Sequence, residues 1–130
     1  MGIRENFKKG SVEMIILRLL SEKDMYGYEM TQKISEWSEN TIHIPEGSLY
    51  PTLYRLLDHG FVSDRRELVG RRQTRVYYHL EPAGSARLHE MRAEFEIFSH
   101  GLISILRHGA EPAAEKTDTS PDSIRSTTCS

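Results

Sequence analysis

The sequence predicts a mainly α protein carrying one small β-hairpin. Apolar residues recur at helical spacing in three separate segments before residue 60. Two runs that alternate in period two, Phe61 to Leu68 and Gln73 to Leu80, flank the turn Val69-Gly70-Arg71-Arg72. A later segment holds an apolar seam of 3.5-residue period. A short helix with a polar and aromatic face running straight into an arginine-rich hairpin is how a winged helix-turn-helix grips DNA. The expected architecture is therefore a winged helix-turn-helix followed by a long C-terminal dimerisation helix.

Each element has its own warrant. Val12, Ile15, Ile16, Leu19 and Leu20 mark a first helix, with Ser11 as its N-cap and an end near Ser21. Tyr26, Met30, Ile34 and Trp37 form one stripe of a second, amphipathic helix, which puts Trp37 in the core. Thr41 to Ile44 alternates and stops at Pro45, as a short strand able to join the hairpin would. Ser48 is expected to cap a third helix reaching His59, with Pro51 in its first turn. Its apolar stripe is Leu49, Leu53, Leu56 and Leu57, and Gly60 ends it. In the second hairpin strand Thr74, Val76, Tyr78 and Leu80 share one face, and Gln73, Arg75, Tyr77 and His79 the other. Pro82 suits the first turn of a last helix whose seam is Leu88, Met91, Phe95, Phe98, Leu102 and Ile105. Residues 1–80 thus read as the DNA-binding domain, 81–108 as the dimerisation helix and 109–130 as a disordered tail poor in large apolar side chains.

At 130 residues the chain has room for one small domain, whose core alone leaves stability marginal, so an oligomer is expected. The net charge of −2 means that affinity for nucleic acid has to come from local placement. Residues 61–80 carry five arginines against Asp64 and Glu67, whereas residues 81–130 carry eight acidic and five basic groups. The single cysteine, Cys129, excludes an internal disulfide and suits a reducing compartment. No apolar run approaches the roughly 20 residues of a membrane span, and no signal-peptide pattern opens the chain. A soluble cytoplasmic protein without a membrane partner is the expectation.

Candidate DNA contacts are Ser48, Tyr50, Thr52, Tyr54 and Arg55 on the third helix, and Arg71, Arg72 and Arg75 on the wing. Tyr50 also reads as partly buried under Pro51, and Arg65, Arg66 and Arg75 as strand arginines able to pair with Asp64 or Glu67. Arg4, Lys8 and Lys9 are either a backbone-contacting arm or a frayed basic terminus. The six histidines include no i,i+4 pair and no cysteine or carboxylate cluster completes a site, so no metal or other cofactor is expected. No nucleophile has an evident base and no glycine-rich phosphate loop follows a strand, so no catalytic residue is assigned and the protein is not expected to be an enzyme.

Taken together, Tyr26-Gly27-Tyr28-Glu29, Gly47-Ser48-Leu49-Tyr50-Pro51 with Leu53, Arg55 and Leu56, Gly60, and Tyr77-Tyr78-His79-Leu80 with Gly84 and Leu88 resemble the PadR-type transcriptional regulators over roughly residues 10–90. The resemblance implies a homodimeric bacterial repressor of the smaller branch, with recognition helices in successive major grooves of a palindromic operator and C-terminal helices making the dimer. It also implies a small hydrophobic or aromatic effector, for which Phe95 and Phe98 are the candidate residues; they are more often dimer core. The chain departs from the family pattern at Leu80-Glu81-Pro82, where Leu-Thr is usual, and in having Phe95 and Phe98 where a tryptophan stands. The rival readings are a winged-helix module for a protein partner and an effector sensor without strong DNA affinity.

Overall fold

The computed structural model describes residues 3–109. Its elements run α1 (Ile3–Glu22), β1 (Met25–Tyr26), α2 (Gly27–Trp37), α3 (Glu46–Asp58), β2 (Val62–Val69), β3 (Gln73–Leu80) and α4 (Pro82–Arg107). The expected tail lies outside the described residues apart from Gly109. Two compact units divide the chain, the first reaching Arg92 and the second beginning at Ala93.

In the first unit, α1, α2 and α3 bring their apolar stripes to one core. Ile16, Leu17, Met30, Leu49 and Leu53 are wholly buried, and Leu19, Leu56, Val62 and Met25 nearly so. Each such side chain contributes about 1.5–3 kcal/mol when removed from water. The core is closed by Tyr78 of β3 and by Leu88 of α4, with Val76, Leu80 and Met91 packed against it. The first turns of α4 therefore belong to this unit, and the expected boundary at residue 80 moves to Arg92.

The sheet is antiparallel with order β1-β3-β2. Val62 to Val69 pair with Leu80 back to Gln73, so the wing turn is Gly70-Arg71-Arg72 and Gly70 takes φ +73°. A residue with a Cβ is strained in that left-handed conformation. The third strand is Met25–Tyr26, paired with Tyr78 and Tyr77. This corrects the strand expected at Thr41–Ile44. That segment is tied to the C-terminal end of α2 instead: the Ile42 N–H donates to Ser38 Oγ at 2.9 Å and the Thr41 hydroxyl to the Ser38 carbonyl at 2.7 Å, while Ile44 enters the core. Glu39 and Asn40, at φ 55° and 66°, turn the chain between α2 and α3.

Three helix expectations also change. The backbone of α1 is helical from Ile3, so Ser11 lies within the helix and is not its N-cap. Tyr26 precedes α2 as a strand residue. Trp37 is 45% exposed and not in the core. It forms one wall of an open apolar groove of about 370 Å³ with Met14, Ile15, Leu19, Ile34 and Ile42, and the Arg18 guanidinium lies 5.4 Å from its ring centre.

The start of α4 is fixed by a close backbone approach. The Phe61 carbonyl accepts the Glu81 N–H at 3.0 Å, and a Cβ at Gly84 would overlap that carbonyl and stand 2.7 Å from Leu80 Cδ1. The Glu81 carboxylate accepts the Ser63 hydroxyl at 2.6 Å. At an exposed helical site Gly→Ala stabilises by about 1 kcal/mol. Gly84→Ala is expected to do the opposite, lowering stability by about 1–3 kcal/mol. The check is a urea titration, and an unchanged or raised midpoint would show that α4 does not start against Phe61.

Candidate nucleic-acid interface

The rotation of α3 about its axis decides which side chains can meet a partner. Leu49, Thr52, Leu53 and Leu56 are buried, and at 3.6 residues per turn the opposite line is Gly47, Pro51, Tyr54 and Asp58. All four are exposed. Ser48 and Arg55 flank this line on one side, exposed, while Glu46 and Tyr50 flank it on the other, half-buried.

The site residues expected from sequence therefore separate. Thr52 is 8% exposed and lies on the core side of the helix, which removes it from the outward face. Ser48 is exposed, yet it is not the N-cap: α3 starts at Glu46 with Pro45 as cap residue, and the Ser48 N–H donates to the Pro45 carbonyl at 2.9 Å. Pro51 consequently sits in the second turn. Tyr54 is 58% exposed and stacks on Tyr50, ring centres 6.1 Å apart. Tyr50 is held inward, its hydroxyl donating to Glu46 Oε2 at 2.6 Å. Burial and the Glu46 carboxylate push its phenol well above the ordinary tyrosine range. The pair lies over Gly27, where a Cβ would come within 2.5 Å of the Tyr50 oxygen and 2.9 Å of the Glu46 carboxylate. Gly27 thus lets α2 and α3 approach.

On the wing, Arg71 and Arg72 are exposed at the turn. Arg75 is half-buried and stacks over Tyr26 at 4.3 Å from the ring centre. Tyr26 meets Tyr77 edge-on at 5.4 Å, and Arg65 lies 5.2 Å from the Tyr77 ring centre. The sheet's outer face is therefore an aromatic and guanidinium layer, with Arg65 further bound to Asp24 and Glu67 at 2.5 and 2.7 Å. Asp24 also binds His79 Nδ1 at 2.8 Å.

Sequence reasoning missed that Asp24 cluster and a second one centred on Glu13, which contacts Arg55 and Arg87. Both join residues more than 40 positions apart and leave no local signal. Among the described residues no group of three or more His, Cys, Asp or Glu is placed to hold a metal, and no helix is long and apolar enough to cross a membrane.

Three helices in one core, the third with its polar face outward and followed at once by a two-stranded hairpin, define a winged helix-turn-helix regulator. Residues 16–90 match the transcriptional regulator PadR-like family, and the chain belongs to that family. It is 31% identical over 104 residues to the transcriptional regulator Rv3488 of Mycobacterium tuberculosis, spanning 80% of this chain and 94% of that protein. A transcriptional regulator of Clostridium thermocellum, 28% identical, superposes with a TM-score of 0.71 over 76% of this chain and 96% of that one. The PadR of Bacillus subtilis, solved in complex with operator DNA, shares the fold at 24% identity and a TM-score of 0.58, over 88% of this chain and 54% of that one. The family is one of regulators and not of enzymes.

The Asp24 cluster gives a pH signature. Burial alone would raise the Asp24 pKa, but hydrogen bonds from His79 and Arg65 outweigh it and hold the carboxyl below its usual range. A carboxyl with a lowered folded-state pKa stabilises the fold above the unfolded value of about 3.9, and that contribution disappears as pH falls through the folded value. Asp24→Asn is expected to cost stability at pH 7 and progressively less below pH 4. Urea midpoints of the two proteins that differ equally at pH 7 and pH 3 would contradict the assignment.

Proposed function

We propose that this PadR-family regulator is a sequence-specific DNA-binding repressor, acting in the cytoplasm as a homodimer on a palindromic operator. The observation that carries the reading is exposure on two successive parts of the chain: the outward side of α3 with Ser48, Tyr54 and Arg55, then the wing tip with Arg71 and Arg72. Each protomer places α3 in a major groove, and the wing-tip arginines neutralise adjacent phosphates. The PadR of Bacillus subtilis, which shares this fold, is solved in complex with operator DNA, and this supports DNA as the partner. Arg75 and Tyr50 act from behind, Arg75 by bracing the wing sheet over Tyr26 and Tyr50 by fixing the start of α3 on Glu46.

The dimer is proposed to form through the second unit. Phe95, Phe98 and Ile105 are 51%, 60% and 73% exposed, and Leu102 lies on the same seam. Leu88 and Met91, expected on that seam, face the core of the first unit instead. An apolar helix face of this size on one small chain is covered by association. The seam then sets the distance between the two recognition helices, near one helical turn of DNA, about 34 Å. A small hydrophobic or aromatic effector seated at Phe95 and Phe98 would lower operator affinity by its differential affinity for the two dimer geometries.

Fluorescence anisotropy against a duplex from the protein's own promoter region and a scrambled duplex, at several salt concentrations, tests the DNA reading. Binding should prefer the promoter and weaken steeply with salt. Arg71→Ala with Arg72→Ala should flatten the log–log salt slope by about one to two units. An unchanged slope removes both residues from the interface, and weak binding equal on both duplexes defeats the reading. For the dimer, Phe95→Asp places an unpaired charge in the seam, at a cost of about 3–5 kcal/mol. Because Phe95 is half exposed in the single chain, the variant should keep its fold and sediment as a monomer, whereas a surviving dimer would refute the seam.

A further inference from the structure

Glu13 of α1 is shared between two arginines from different helices. Its Oε1 lies 3.5 Å from an Nη of Arg55 on α3, and its Oε2 lies 3.1 Å from Nε of Arg87 on α4. The carboxylate side chain is 12% exposed, against 45% for Arg55 and 39% for Arg87. A carboxylate so far out of water needs its cationic partners. The two bonds are unequal: the Arg87 bond has ordinary length, while the Arg55 bond stands at the outer limit of a hydrogen bond. Arg87 is further seated with its guanidinium 6.0 Å from the Phe61 ring centre, whereas Arg55 borders the outward line of α3.

We infer that Glu13 is a positioning residue that restrains Arg55 from the duplex, and that Arg87 sets the strength of that restraint. The inference rests on the DNA-binding reading above. One negative charge is divided between two cations, so its hold on either depends on the other. With Arg87 in place, Arg55 is loosely tethered and can exchange Glu13 for a phosphate. When the Arg87 bond opens, the whole carboxylate charge acts on Arg55 and draws it in. Any displacement of the start of α4 that parts Arg87 from Glu13 therefore lowers DNA affinity through an α1 side chain that itself touches no DNA.

The test is a double-mutant cycle on promoter-duplex affinity. Glu13→Gln should bind about fivefold tighter and Arg87→Met about fivefold weaker, the low end of measured site-to-site couplings. Both effects should vanish in the Arg55→Met background. A tighter Glu13→Gln variant that keeps its gain when Arg55 is absent reports only the loss of a negative charge near DNA, and overturns the inference. Uniform weakening of Glu13→Gln and Arg87→Met in step with lower urea midpoints would assign Glu13 a purely structural role. If the wild-type chain binds the promoter but Arg55→Met binds equally well, the inference falls and the DNA reading stands; if the wild type binds no duplex, both fall.

Discussion

Burial of Leu49, Leu53 and Leu56 locks the rotation of α3, and the placement of its outward face and of the wing follows from it. These side chains are 0%, 0% and 1% exposed, and with them α3 packs against α1, α2 and β2. At about 1.5–3 kcal/mol for each, a rotation of α3 by one residue is prohibitive, because it would wet leucines and bury Tyr54. The outward line of the helix follows from that lock. So does the wing: the Phe61 N–H donates to the Leu56 carbonyl at 3.0 Å, and Gly60, at φ +74°, reverses the chain into β2. A C-terminal stop of this kind uses glycine because left-handed backbone carries no Cβ penalty there.

Charge in this molecule works through position. With a net charge of −2 the chain has no bulk attraction for a polyanion. Four of the five arginines of residues 61–80 are sorted by the fold into two pairs. Arg65 and Arg75 lie over tyrosine rings on the sheet face, Arg65 also paired with carboxylates, while Arg71 and Arg72 are exposed at the turn.

Much of this was legible in the sequence, for identifiable reasons. The leucine stripe of α3 and the alternation of β3 are periodic signals: the core takes Leu49, Leu53, Leu56 and Tyr78, with Leu57, Val76 and Leu80 packed against it, while Thr74 at the wing end of β3 is exposed. Thr52 also carried a readable signal, since it precedes Leu53 and lies four residues before Leu56, on the apolar side of the helix. Its hydroxyl suggested a surface role that its position denies. The 3.5-residue period of α4 identifies an apolar stripe without saying what each residue meets: Leu88 and Met91 share that period with Phe95 and Phe98, yet they close the core of the first unit. β1 is two residues long, too short for any alternation to show. Trp37 has the right period for burial, but α2 ends there and the ring is left on a groove wall. The Glu13 and Asp24 clusters depend on side chains brought together from distant parts of the chain, which only the folded backbone reveals.

If the outward face of α3 and the wing tip bind the duplex together, amide chemical-shift mapping of the isotope-labelled protein on addition of promoter duplex will show it. The large perturbations should cluster at Gly47, Ser48, Tyr54 and Arg55 and at Gly70, Arg71 and Arg72, with the Trp37 groove unaffected. Perturbations concentrated around Trp37, Met14 and Ile42, with α3 and the wing tip silent, would contradict it.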